Sequence, residues 1–391
     1  MKRPARLVPD RVRLAAGALL ASLFTACLLD LGSLSGGGAT SAGGGATAAS
    51  SSSSGGYDAG DAGDADAAAD ADAAADAADA GCPLLDCTCA SGPTVLAAGA
   101  ALADAPRGIV VTSDGVYWVN QHGNEVRRLP AAGGPPELLA SASAPGVIAV
   151  AGGTVVWTAD DGVHACQASS CSGSQHLVVA SAAVGSLRGV AFDGQIVAWT
   201  DQGTGNQDGK TRACAIGACG MPIDLDTNLT APQGLAYHGD SVFFVDQGNG
   251  NPNGTVHSEL KIGGSYTSLA ASLDLPTGIA VDDTYFYWTA WEPSGHVYRC
   301  PYAAGYCNTP TDLAPAGGPL GRPLDIQIGG GRIYWTNADD GSITSCPQPG
   351  CGGAKPTVHV SGRQGLQRLA VGASCLFWTE DNGGAVLKAA R

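Results

Sequence analysis

PRGIVVTSDGVYWVN, from Pro106 to Asn120, decides how the rest of this chain is read. An apolar position at Ile109 is followed nine residues later by Trp118, across a turn at Ser113-Asp114-Gly115. The same pair returns as Ile148 and Trp157, Val190 and Trp199, Leu235 and Phe244, Ile279 and Trp288, Ile326 and Trp335, and Leu369 and Trp378. The offset of nine never changes, whereas successive copies start 39, 42, 45, 44, 47 and 43 residues apart. Insertions therefore fall outside a fixed structural unit.

Each copy resolves into four short strands. In the first, GIVV, VYWVN, EVRRL and ELLA are runs rich in β-branched and aromatic residues, bounded by Gly, Asp and Asn. That is the pattern of antiparallel strands joined by turns. Four-strand units returning at this interval predict an all-β chain, a seven-bladed β-propeller of four-stranded antiparallel blades. The recurring aromatic is expected to fill the wedge between neighbouring blades, whose twisted sheets diverge outward. After VLKAA the seventh copy has no fourth strand, and Thr94-Val95-Leu96-Ala97 precedes the first. These N-terminal residues are expected to complete the last blade, with Val95 beside Leu387, closing the ring and removing its free edges.

The copies YWVN, VWTAD, AWTDQ, YWTNA and FWTED, behind lead-ins such as PRGIVV and PTGIAV, resemble the YWTD, NHL and virginiamycin-lyase-like group of propellers. The resemblance covers nearly all of residues 94–391. It implies the fold but no single activity, because that group includes receptor domains, scaffolds and enzymes. Receptor propellers of the YWTD type have six blades, against seven copies here, so a receptor role is not implied.

Ahead of the repeats, Lys2, Arg3, Arg6, Arg11 and Arg13 precede an apolar stretch from Leu14 to Cys27. This is the layout of an export signal, too short to cross a bilayer. Phe24-Thr25-Ala26-Cys27 resembles the lipobox of bacterial lipoproteins, with Phe24 where Leu is usual. The resemblance implies a lipoprotein-type signal over residues 1–27 and lipidation of Cys27; the alternative is an ordinary secretory signal with a chance Cys. Leu28 rather than Asp after the Cys implies, by analogy with enteric bacteria, an outer-membrane lipoprotein facing the periplasm or the cell surface. Residues 28–81 are Gly, Ser and Ala followed by an Asp/Ala alternation with eight carboxylates from Asp58 to Asp79. Such a segment buries too little to repay the entropy of folding and is expected to be a disordered tether. Its reach as a flexible coil is roughly 40 Å. A Cys-rich lead-in over 82–93 then joins the propeller at 94–391.

Composition narrows the function. The 391 residues include 58 Gly and only 2 Met, and no apolar run follows the first thirty residues, which excludes a multispan membrane protein. Acidic residues outnumber basic ones 35 to 20, so the concentrated basic face that nucleic acid requires is not expected. Contact with a membrane is expected only through the lipid anchor, and the closed ring is expected to be a monomer.

Setting aside Cys27, twelve of the thirteen Cys remain. Eight fall in short pairs, Cys166 with Cys171, Cys214 with Cys219, Cys300 with Cys307 and Cys346 with Cys351, each after the third strand of its blade. In an exported chain these read as disulfides. Zinc is the competing reading, but pairs in different blades cannot converge on one ion. Cys82, Cys87, Cys89 and Cys375 are left. Cys375 opens the second strand of blade seven, on the rim where the closing strand enters, so Cys87 or Cys89 is expected to bond to it and the other to Cys82.

Propeller sites form where the loops entering strand one and leaving strand two surround the central channel. The first loop type offers Arg107, Arg188, Gln233 and Gln367; the second offers Asn120, Asp201, Asp246, Asn337 and Glu380. Asp and Asn in such places also form turns with their own backbone. Trp291 and Glu292 stand out in blade five as an exposed aromatic and acid. The loops DQGTGNQDGK from Asp201 and DQGNGNPNGT from Asp246 carry alternating oxygen ligands, without the spacing or closing Glu of an EF-hand. The sequence demands no cofactor; Ca2+ or Mg2+ at these loops is the candidate if one is used. No G-x-S-x-G elbow occurs, and His122 and His296, in loops after strand two, are the histidines placed to reach the channel. The expectation is a binding or scaffold module for a protein or glycan partner. The alternative is a metal-dependent, lactonase-like hydrolase or a lyase with its site at the channel mouth.

Overall fold

The strand alternation and turn residues of each copy build one four-stranded antiparallel sheet, and seven such sheets form the structure. The computed structural model describes residues 83–87, 92–180, 187–204, 207–250, 252–292, 294–314 and 320–391. The expected signal, lipobox and tether over 1–81, together with Cys82 and Cys89, lie outside the described residues. The inner strands of blades one to seven are Pro106–Thr112, Ile148–Ala151, Leu187–Phe192, Pro232–His238, Pro276–Val281, Pro323–Gly329 and Leu366–Val371. The second strands are Gly115–Asn120, Thr154–Ala159, Ile196–Asp201, Ser241–Asp246, Tyr285–Ala290, Arg332–Asn337 and Cys375–Glu380. Inner strands of successive blades touch one another, and the last touches the first, so the ring closes.

Closure is by the N-terminal strand, Thr94–Ala98, which lies antiparallel to Ala385–Ala390 with Val95 opposite Leu387. The apolar core divides into seven clusters, one in each wedge between blades. Successive residues of a strand face opposite sides, so Trp118 packs with Phe377, Val386 and Leu96 of blade seven. Its neighbour Tyr117 packs with Trp157 and Ile148 of blade two. Phe243 meets Trp288 in the same way, Tyr287 meets Trp335, and Tyr334 meets Trp378. The nine-residue offset is the sequence trace of this packing. Ile109 and Trp118 are cross-strand partners in the ladder, as are the corresponding residues in the other blades.

The Thr after the Trp has a second task. Thr379 donates its hydroxyl to the Arg107 carbonyl of the next blade at 2.7 Å and accepts the Arg368 N–H of its own inner strand at 3.2 Å. Thr289 does the same between Leu324 and Gly278, at 3.0 and 2.8 Å. One buried side chain thus ties two inner strands together and satisfies a backbone N–H that the inner-strand bulge leaves out of the ladder. Thr379→Val keeps the shape and removes both bonds. It is expected to cost about 1–3 kcal/mol, read as a lower urea midpoint; an unchanged midpoint would deny the clip its role.

Four hairpin disulfides join Cys166 to Cys171, Cys214 to Cys219, Cys300 to Cys307 and Cys346 to Cys351. Of the two partners open to Cys375, the bond is made by Cys87. Around it the lead-in is also held by hydrogen bonds, Cys87 N–H to Ser374 Oγ and Lys388 Nζ to the Leu84 carbonyl. Five disulfides among the described residues point to an oxidising, extracytoplasmic location. No helix among the described residues is long and apolar enough to cross a membrane.

Candidate ligand site at the mouth of the ring

Six of the inner strands begin with a bulge, between Pro106 and Ile109 in blade one and at equivalent places in blades three to seven. A bulge re-aims the side chains it contains. It turns Arg188, Gln233 and Gln367 toward the first residue after the second strand, fourteen positions on, and Arg107 toward blade seven. Arg188 donates through Nε and Nη2 to Gln202 Oε1 at 2.9 and 2.8 Å. Gln233 Nε2 donates to Gln247 Oε1 at 3.4 Å, and Gln367 Nε2 to Asp381 Oδ2 at 2.8 Å. The backbone fixes these partners, because the N–H groups of Gln247 and Asp381 bond the Ala231 and Gly365 carbonyls just ahead of the inner strands.

Blades seven and one are joined at this level. Arg107 donates through Nη1 to Gln367 Oε1 at 3.4 Å, and its Nη2 lies 3.5 Å from Asp381 Oδ2. Several polar atoms around the mouth are nevertheless buried without a protein partner: Arg107 Nε, Asp381 Oδ1, Gln233 Oε1 and Gln247 Nε2. A mouth so arranged presents donors and acceptors from planar amides, a guanidinium and a carboxylate on a rigid frame.

The structure places the second set of expected residues away from these contacts. Asn120, Asp201, Asp246, Asn337 and Glu380 each end the ladder of their second strand, one residue short of the mouth, and alternation turns their side chains back into the blade. Asn120 donates to the Leu102 carbonyl, and Asn337 to Ser342 and Thr344 hydroxyls. Asp246 accepts from the Thr230, Ala231 and Gly248 N–H groups, and Asp201 from Gly203 N–H. Glu380 is bound by Arg363 at 2.5 and 2.9 Å and by Trp378 Nε1 at 2.7 Å. The two oxygen-rich loops close on themselves likewise: Asp208 accepts Thr204 N–H at 2.9 Å and Asn253 accepts Asn249 N–H at 3.1 Å, the same contact four residues apart. These oxygens serve turns, and among the described residues no three metal-ligating side chains gather.

Trp291 is half-buried rather than exposed, with the Arg322 guanidinium 5.7 Å from its ring centre. His296 opens the third strand of blade five and is held by Asp312 at 2.9 Å, and His122 is exposed with Asp104 4.0 Å away.

Two further residues were missed by the sequence reading. In blades three and five the second bulge position is Gly189 and Gly278, where an added Cβ would fall 2.7 Å from the Gln233 and Leu324 carbonyls of the next blade. Blades six and seven place Asp325 and Arg368 there instead. Both are buried, with Arg368 Nη1 3.9 Å from Asp325 Oδ1. Asp325 also accepts the N–H groups of Ile326 and, across the blade boundary, Leu369. Burial pushes its carboxyl up to about 6, against the pull of Arg368 and the backbone donors. The signal was present as PLD and LQR where the other four bulged lead-ins read PRG, LRG, PQG and PTG.

No family model matches the chain, and no curated protein does. Solved propeller structures do. The hydrazine synthase of Kuenenia stuttgartiensis superposes with a TM-score of 0.59 at 12% identity, over 74% of this chain and 96% of that one. A streptogramin B lyase gives 0.57 at 14% identity, over 73% and 93%. A chain of a mitotic checkpoint complex gives 0.55 at 11% identity, over 73% and 90%. At these identities the likeness is one of fold alone, and it bears out the propeller fold that the repeats predict.

Proposed function

We propose that this chain is a lipid-anchored, extracytoplasmic β-propeller that binds a polyhydroxylated ligand, a glycan, at the mouth of its ring. The observation that carries the reading is the set of buried, partnerless donors and acceptors on Arg107, Asp381, Gln233 and Gln247. Amide, guanidinium and carboxylate groups are the groups that pair with adjacent sugar hydroxyls, and a buried polar atom gains most from a partner that supplies its missing bond. Residues 28–81 act as the tether and Cys27 as the acylated residue, in line with the lipobox resemblance and with the disulfides. A cation-dependent hydrolase or a lyase is the competing reading. It is less favoured because Asp201 Oδ1 and both Asp246 oxygens accept backbone N–H groups.

Titration of the full mature protein with N-acetylhexosamine and hexose oligosaccharides in a calorimeter is expected to give saturable binding. Gln233→Ala and Asp381→Asn are each expected to weaken it about tenfold, the loss of one hydrogen bond to a charged or buried group. Mass analysis of the N-terminal peptide is expected to find acyl chains on Cys27. Binding indifferent to both substitutions, or turnover of a lactone or glycan, would remove the reading in favour of the enzyme.

A further inference from the structure

The wedge between blades three and four ends, toward the outside of the ring, in a cluster of charge. Its elements are the third and outer strands of blade three, Gly209–Ala215 and Ile223–Leu229, and the third strand of blade four, Gly254–Leu260. Alternation along Gly254–Leu260 sends Val256 into the wedge with blade five and His257 and Glu259 into the wedge with blade three. Asp226 of blade three meets His257 Nδ1 at 2.6 Å. Glu259 is only 3% exposed, and neither of its carboxylate oxygens has a hydrogen-bond partner. Thr211, opposite Asp226 in the ladder, is fully buried with an equally partnerless hydroxyl. His257 is taken up by Asp226, and Glu259 is left without a hydrogen-bond partner. Burial and the charge of Asp226 hold the Glu259 carboxyl above its usual range.

A glycine bend passes beside Glu259. The strand runs on into Lys261 to Tyr266, with Lys261 pinned to Asp193 at 2.8 Å and Tyr266 stacked on His257 at 5.2 Å between ring centres. Between those two anchors lie Gly263 and Gly264; a Cβ on Gly264 would sit 3.4 Å from Glu259 Oε1, and one on Gly263 would strike Ile223 of blade three. The loop therefore passes beside the carboxylate at two residues without side chains, where the chain bends most freely. Around it stand Met221, Ile223, Leu260, Ile262 and Tyr266, with exposures of 90, 41, 49, 68 and 54%. Scattered surface aliphatics need no explanation, but these are brought together from two blades around one buried negative charge.

We propose that this corner is a docking site for a protein segment that presents one arginine or lysine between apolar side chains. The cation lifts the Gly263-Gly264 bend and pairs with Glu259, its stem lies along Tyr266, and the flanking apolar residues cover Met221, Ile223 and Ile262. A bare metal ion fits less well, since it needs several ligands, whereas a guanidinium needs one carboxylate and an apolar wall.

The test uses the full mature protein with two peptides, acetyl-Ile-Arg-Leu-amide and acetyl-Ile-Glu-Leu-amide, followed by nuclear magnetic resonance of the His257 and Tyr266 signals. The arginine peptide is expected to bind saturably and at least tenfold more tightly than the glutamate peptide. Glu259→Gln, which keeps shape and burial, and Ile262→Ser, on the surface, are each expected to weaken it at least tenfold while leaving the mouth-site titration unchanged; neither is expected to lower the melting temperature, and Glu259→Gln is expected to raise it at neutral pH, because it removes a buried carboxyl held above its usual range. Equal binding of the two peptides, no saturation, or full affinity in Glu259→Gln overturns the proposal. So does concentration-dependent dimerisation that broadens the Tyr266 signal without peptide, which would make the occupant a second copy of the chain.

Discussion

The double substitution Cys87→Ser/Cys375→Ser is expected to lower the stability of the ring by about 6 kcal/mol, far more than loss of any hairpin disulfide. The bond spans 288 residues, against five for Cys214 and Cys219. A cross-link removes chain entropy from the unfolded state that grows with the logarithm of the loop it closes, which gives about 6 kcal/mol for the long loop and about 2 kcal/mol for the short one. Replacing both sulfurs avoids a leftover thiol. The expected readout is a large drop in urea midpoint, with hydrogen exchange accelerated first in Thr94–Ala98, the strand whose pairing to Ala385–Ala390 closes the circle. If Cys214→Ser/Cys219→Ser proves equally damaging, the seam has no special role.

Arg368→Ala is expected to cost about 3–5 kcal/mol at neutral pH, because it strands a fully buried Asp325 carboxylate beside the ring axis. The loss should shrink as the solution is acidified. In the folded ring the Asp325 carboxyl is pushed up to about 6, above its unfolded value, so the stability linked to it is fully present below the unfolded value and is lost as pH rises through about 6. Glu259 is shifted in the same direction. Asp193 and Asp224 are held low by Lys261 and by Lys210 and Arg212, overcoming burial, and their contribution fails only below the ordinary carboxylate range. Between pH 5 and 7.5, then, acid should favour the native ring at Asp325, and removal of Arg368 should steepen that dependence. Urea unfolding followed by tryptophan fluorescence at both pH values measures it. A second substitution, Asp325→Asn, should restore most of the loss at pH 7.5, and a pH-independent deficit would contradict the account.

The fold was written in residues that carry bulk at a fixed distance. Ile109 with Trp118 and its six counterparts are cross-strand neighbours, so their spacing survives any loop insertion, and the closing strand follows from a missing partner in the seventh copy. The mouth was only half legible. Arg107, Arg188, Gln233 and Gln367 stand out by their place ahead of each repeat, but the residues that Gln233 and Gln367 bond, Gln247 and Asp381, lie one position beyond Asp246 and Glu380, the strand-end residues that the sequence offers. The end of a ladder leaves no mark in an apolar pattern, and one residue decides which side of a strand is presented. Asp325 and Arg368 interrupted a run of glycines in plain sight, and only the closeness of adjacent inner strands shows why that interruption is costly. The pairing of Asp226 with His257 joins two blades, and nothing in local sequence predicts contacts of that kind.

The bond between residues 87 and 375 also decides how tension would travel. A pull applied upstream of Pro83 reaches Cys87 before it reaches Thr94, so it passes through sulfur into the second strand of blade seven rather than peeling the outermost strand away one hydrogen bond at a time. A molecule moored from that side can be tugged without its circle being unzipped.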